Sequence, residues 1–441
     1  AILAALIIAQ PPALPTVKVS ADDTTIDRSC SIAIAPGAVI ADANGDGVIH
    51  ITADDLTIEF APGSVLTGSS AEPDTFTGIG LRLDGHKNIT IRNARIQGYK
   101  VGIRATNCPG LTIDSADLSG NYHQHLKSTP QAEDGSDWLY PHNNDHDEWT
   151  SNYGAALSIK NADHVTLRNI TIRRGQNGIV LDRVTDSSIY DNDCSFLSGW
   201  GLAMWRSSKN TITRNAFDFC VRGYSHMVYN RGQDSAGLLM FEQNCNNTIA
   251  ENSITHGGDG IFGFAGREAI GESPAPTTAD GKPFDYKRRG NSDNLFIAND
   301  LSYAPAHGLE MTFSTGNQVL KNRFVQNAIC GIWGGYSNDT LIAENTFEGN
   351  GEMAYGLERG GINIEHGSGN LILANTFKDN KCGIHLWWNN NPGLLKLPGA
   401  ATNERGVVGN IIADNTFTGD LLALQLRDDP KAEGAPHVRG T

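Results

Sequence analysis

Three short segments carry residues suited to acid–base chemistry. RGQDSAGLLMFE contains Arg231, Asp234 and Glu242, HGGDGIFGF contains His256 and Asp259, and AHGLEMTF contains His307 and Glu310. Breaking a glycosidic bond takes two carboxyl groups, one to protonate the leaving oxygen and one to activate water or attack. These segments are candidates for that pair, with Asp234 and Asp259 first and Glu242 and Glu310 in reserve. Arg206, Arg231 and His307 would then position substrate. A carboxylate beside the acid raises its pKa by like-charge repulsion, as an acid working at neutral pH needs. The bland alternative for each aspartate is a turn role, since Asp-Gly is a common turn pair.

Other residue groups rank lower. YPHNNDHDEW offers His142, Asp145, His146, Asp147 and Glu148, a set that can hold Ca2+, although a capped, solvated polar loop is the simpler expectation. GYSHMVYNRG brings His226, Tyr229 and Arg231 close together, and a Tyr, His or Arg base is what a lyase or C5-epimerase on a uronate polymer requires. No GxSxG, HExxH or phosphate-binding loop occurs, and the seven cysteines form no CxxC pair. Neither a cofactor nor a transition-metal centre is implied.

What positions these residues is a repeat. The glycines Gly102, Gly178, Gly201, Gly237, Gly260, Gly308, Gly331, Gly361 and Gly383 share one register, with Ala156 and Ala423 in the same role. Each opens a short alternating segment such as GIVLDR, GLAMWR, GLEMTF or GINIEH. Ile or Leu always follows the glycine, and Ile, Leu or Met recurs two residues later, so these two columns point inward. Asparagines keep a parallel register: Asn93, Asn169, Asn192, Asn215, Asn252, Asn299, Asn322, Asn345, Asn375 and Asn415, often 23 residues apart. One such turn cannot bury its own apolar face, whereas stacked turns can. A buried asparagine ladder then satisfies groups that cost about 1–3 kcal/mol when left alone. Glycine is expected at corners of positive φ, and Cys194 and Cys220 are expected to stack in the core rather than pair. The fold class that follows is all-β, a solenoid of about 11–13 rungs.

The repeat is interrupted at 121–153, 216–235, 266–291, 348–360 and 389–407. All five insertions flank the same strand, so they should wall a cleft over one sheet. Outward positions of that strand include Trp205, Trp333, Glu365, His385 and Trp387, with Arg206 and His366 at its edge. Exposed aromatics among carboxylates, His and Arg suit a sugar, whose apolar face stacks on a ring. Phe241 and Phe264 are instead expected under the loops.

This pattern resembles the pectin-lyase-like superfamily, right-handed parallel β-helices, over residues 30 to 429. Locally it is similar to polygalacturonases: QDSAG, GGDG and AHG stand where that family has NTD, DD and GHG. The resemblance implies Asp234 as the first catalytic aspartate, Asp259 as the second of the pair, and His307 as the motif histidine. Gly232, Gln233 and Gly258 depart from those motifs, and GIWGGY replaces the uronate-binding RIK, which speaks against galacturonate.

The formal charge of -15, without a basic run, argues against nucleic acid. The opening AILAALIIAQ is too short for a membrane span and reads as the tail of a secretory signal, so residues 1–16 are set aside and 17–441 form one domain. The expectation is a secreted or periplasmic protein acting on a polysaccharide or oligosaccharide, as a glycoside hydrolase before a lyase or epimerase. A non-catalytic glycan-binding or assembly protein is the third reading. Oligomeric state stays open, with a trimer along an outer sheet in keeping with the fold.

Overall fold

The computed structural model describes residues 13–274, 281–353, 356–429 and 438–439. Most of the apolar opening run, a proposed export signal, lies outside the described residues. Two 14-stranded parallel sheets run the length of the molecule, and a four-stranded sheet lines a third side near one end. Single parallel bridges such as Asp193 with Ala216 and Ser253 with Asp300 continue that third side elsewhere. The chain therefore coils as a three-sided solenoid. Its sheets exceed the expected rung count because the early strands, such as Thr24–Ile26 and Ile49–Ile51, lack the glycine-led pattern.

One of the long sheets, here the site sheet, carries the alternating segments. Its register pairs Leu202 with Leu238, Leu238 with Ile261, Ile261 with Leu309 and Leu309 with Ile332. Both apolar columns enter one continuous core. At the last rung, Leu424 and Leu426 are substantially exposed, because no described rung covers them. Face-to-face rings at 4.8–4.9 Å, from Phe324 through Phe347 and Phe377 to Phe417, show how closely the rungs follow one another.

The asparagine ladder is present from Asn192 to Asn415. Each Nδ2 donates to the Oδ1 of the next, at 2.9 Å from Asn192 to Asn215 and 3.1 Å from Asn322 to Asn345. Asn93 and Asn169 do not belong to it. Both adopt positive φ, and their exposed side chains bond Glu59 and Asp114. Ile170 occupies the ladder position instead, and its N–H donates to Asn192 Oδ1 at 3.0 Å. Further ladders, including Asn210–Asn247–Asn294–Asn317, were not apparent from the spacing.

The register glycines have a different cause from the one expected. None has positive φ. A Cβ on Gly178 would lie 2.3 Å from the Gly201 carbonyl oxygen, and one on Gly308 2.7 Å from the Phe324 ring, each on the following rung. Close rung-to-rung approach, not a left-handed corner, demands glycine there. The cysteines of the described residues are unpaired, and the Cys220 thiol donates to the Cys194 carbonyl within the core.

The candidate functional site

The insertions rise at the two ends of the site-sheet strands and divide the candidate residues among three groups. At the end where strands begin, Asp259 opens Asp259–Phe264 and His307 opens His307–Thr312. Cys330 is the register partner of His307 on the next rung. Asp234 lies in a tight left-handed turn, Gly232–Asp234, just before Ala236–Phe241. Arg231, Gln233 and Asp234 all have positive φ, a costly run for non-glycine residues. It is pinned by Trp200 Nε1 donating to the Asp234 carbonyl at 2.8 Å, and by Gln233 reaching across to Ser128 at 2.9 Å.

His307 is the centre of this group and is fully buried. Asp259 Oδ1 accepts the His307 backbone N–H at 2.9 Å and lies 3.1 Å from ring Nδ1. Glu310 Oε2 is 3.3 Å from the same Nδ1, and Glu358 Oε2 is 3.4 Å from Nε2. Burial alone would push the imidazole toward neutrality, but Cys330, Asp259 and Glu310 together hold its pKa well above the usual histidine value. Burial, then the nearby Asp259 and Glu310 charges, raise Asp234 to about 7 against the pull of Arg231. Burial likewise raises Glu310 to about 7, opposed by its contact with His307. Glu358 goes the other way: burial disfavours its charge, but His307 and Arg231 outweigh that and lower its pKa. The arrangement is a compact set of carboxyls around one cationic ring, with protons available near neutrality.

Glu242 is not part of it. It follows the far end of its strand, six residues and therefore roughly 20 Å from the start. There it accepts the Glu268 N–H at 3.1 Å, while Arg206 bridges Glu268 at 3.0 Å and Asp145 at 3.4 Å. Asp145 and Asp147 of the 121–153 loop bind Arg183 and Arg104, at 2.6 and 3.1 Å, and Asp147 also takes Lys160. In the loop suggested for Ca2+, Asp145 and Asp147 are thus already matched by cations, and Glu148 accepts the His146 N–H at 2.8 Å. His366 belongs to a third group, 3.2 Å from Glu404 and 3.0 Å from Asn389, stacked on Tyr336, with Glu365 beside it.

The open aromatic cleft is not what the loops build. Trp205 is 1% exposed and packs with Trp149, Trp200 and Phe241 in a second apolar core beneath the 121–153 loop. Phe241 is buried as expected, and Phe264 is partly so. Trp387 is buried too, donating to Asn363 Oδ1 at 2.9 Å. His385 is fully buried against the Leu357 carbonyl at 3.0 Å, and burial drives its pKa down to about 4. Their outward direction was read correctly, but the loops cover that face. Trp333 alone among these tryptophans keeps partial exposure, its ring 5.5 Å from that of His307.

Two members of the central group were missed. Glu358 sits in an insertion recognised as such, but nothing in its local sequence marks it. Cys330 was legible: the residue before each register glycine forms its own column, Trp200, Ala236, Asp259, His307, Cys330.

A family profile described as "Periplasmic copper-binding protein (NosD)" matches residues 42–257, and one described as "Right handed beta helix region" matches residues 285–395. No curated protein matches the sequence. Solved structures of similar shape include DFA-IIIase from Arthrobacter chlorophenolicus A6, at 9% identity over 82% of this chain and 83% of that one, TM-score 0.42. The Dettilon tailspike protein gives 12% identity over 94% and 61%, TM-score 0.45. The A-module of an Azotobacter vinelandii mannuronan C-5 epimerase gives 12% over 91% and 89%, TM-score 0.38. No helix among the described residues is long and apolar enough to cross a membrane. With in-register parallel sheets along its length and a β-helix profile across its later rungs, this chain is a right-handed parallel β-helix.

Proposed function

We propose that the chain is a carbohydrate-active enzyme, a glycoside hydrolase working on an oligosaccharide or polysaccharide outside the cytoplasm. The observation that carries this reading is the convergence of Asp259, Glu310 and Glu358 on His307, at 3.1, 3.3 and 3.4 Å, with Asp234 close enough to feel Asp259 and Glu310. Asp234, protonated up to about pH 7, is the general acid. It gives its proton to the glycosidic oxygen as the bond to the anomeric carbon breaks. Asp259, oriented by two contacts from His307, serves the opposite face of the sugar, where it deprotonates water or attacks directly. Arg231 and His307 keep the crowded carboxyls together, and the half-buried Trp333 ring offers a stacking surface beside them. A periplasmic or secreted location is in keeping with the description of the profile matched over residues 42–257.

The test is digestion of a glycan panel with product analysis. A hydrolase releases new reducing ends, whereas an unsaturated, ultraviolet-absorbing product would assign a lyase and overturn this reading. Asp234→Asn and Asp259→Asn should each lower the rate by about a hundredfold or more. Full activity in both removes the assignment.

A second reading rests on the copper-binding description of that same profile. Among the described residues, Asp259, His307 and Glu310 bring three ligand atoms within 4.8 Å of one another. That set is two carboxylates and one imidazole. Copper favours nitrogen and sulfur donors, while oxygen-rich sets suit harder cations. The donor set does not fit copper.

A further inference from the structure

The loops that cover the sheet face leave open how a glycan would approach Asp259 and His307. The answer lies at the edge where site-sheet strands begin. The rings of Phe219, His256 and Tyr303, on successive rungs, stack at 4.3 and 4.8 Å and form one wall of a groove. Its other wall comes from two insertions. Tyr224, whose hydroxyl meets His226 Nδ1 at 3.1 Å, rises from the 216–235 loop. Glu352 comes from the 348–360 loop, close enough that its charge adds to burial in raising the Tyr224 phenol. The groove encloses about 400 Å³ here. Past Glu352 and Met353 it continues into a second space of about 490 Å³, bounded by Asn230, Arg359 and Lys381. Asn230 and Arg359, on its wall, are the chain neighbours of Arg231 and Glu358 of the His307 group. Arg359 Nε is buried there without a hydrogen-bond partner among the described residues.

We propose that this groove binds an uncharged oligosaccharide lying along the rungs and presents one end of it to the His307 group. Three features select that ligand. Rungs repeat about every 4.8 Å, close to the length of one sugar, so the groove takes several residues in a row. Its lining mixes ring edges, thioether and isolated polar groups, the mixture that holds sugar hydroxyls and apolar faces together. The charges do not suit a uronate chain: Arg359 and Lys381 lie at one end only, and Glu352 stands between the two spaces.

The role in presenting substrate rests on the hydrolase reading, but binding does not. The experiment is calorimetric titration of the full chain carrying Asp259→Asn with malto-, cello- and mannohexaose, an inulin-type hexasaccharide, and hexagalacturonate and hexamannuronate. At least one neutral hexasaccharide should bind. Adding Tyr224→Ala should weaken it about tenfold and leave the matching disaccharide unaffected. Tyr224→Phe, which keeps the ring, should lose less. Both are exposed loop changes, and an unchanged thermal midpoint confirms folding. The proposal is overturned if no neutral hexasaccharide binds, if a hexauronate binds more tightly than every neutral one, or if Tyr224→Ala changes nothing. Groove-dependent binding with no product from the wild-type chain sinks the hydrolase and keeps the groove. Hydrolysis indifferent to Tyr224 does the reverse.

Discussion

At the scale of single residues, the decisive feature is that Asp234 and Glu310 share a field with Asp259. Both titrate near 7 because burial and a neighbouring carboxylate oppose their ionisation. An acid whose folded pKa lies above its unfolded value is favoured while protonated, so general-acid function persists below about 7 and is lost as pH rises through it. kcat/KM should therefore fall on the alkaline side near pH 7. Glu310→Gln removes one of the charges that keep Asp234 protonated, and so should move this limb to lower pH. Arg231→Gln removes the opposing cation and should move it higher. A limb that stays in place in both variants would show that Asp234 is not the titrating acid. The residue types needed for this chemistry could be read from three short segments. The grouping could not: Glu242 has the right chemistry and sits a strand length away with Arg206 and Glu268.

Among elements, the rung is the unit, and its strictest requirement is polar satisfaction in the core. Asn322 donates to Asn345 at 3.1 Å and to the Phe296 carbonyl at 2.9 Å while accepting from Asn299 at 3.0 Å. Asn322→Ala strands partners on both neighbouring rungs and should cost about 1–3 kcal/mol in denaturant unfolding. Asn169→Gly preserves the left-handed backbone at an exposed position and should change stability by no more than about 0.5 kcal/mol. Both asparagines fall in the repeat register, and only the coil separates them. The step from Asn169 to Asn192 is a full 23 residues, yet the ladder partner on that rung is Ile170, one residue on. A one-residue slip exchanges a buried site for an exposed corner, and spacing alone does not reveal it.

For the whole molecule, the insertions act as a second layer of structure. Trp149 is fully buried, 5.0 Å from Trp200 and 5.4 Å from Trp205 in ring centroids, and its indole donates to the Pro141 carbonyl. Arg183, Arg206, Lys160 and Arg104 then hold the loop's acids at the strand ends. Trp149→Ala should cost about 3–5 kcal/mol locally. The expected result is protease cleavage within 121–153 well before the solenoid is cut, because the solenoid keeps its own core. Simultaneous cleavage of loop and rungs would mean that the two layers unfold as one. This layer also explains why Trp205, which alternates outward, is not a sugar platform, and why an opening is found at the strand-start edge instead.

Alternation, glycine spacing and asparagine spacing determined the coil, its inward columns and the positions of its insertions, since each is a local periodic demand that stacking must meet. Tertiary structure alone decided which outward residues see solvent, which carboxyls meet, and that Glu358 joins His307. Those outcomes depend on how irregular loops fold over the coil, and an irregular loop carries no period from which its contacts can be read.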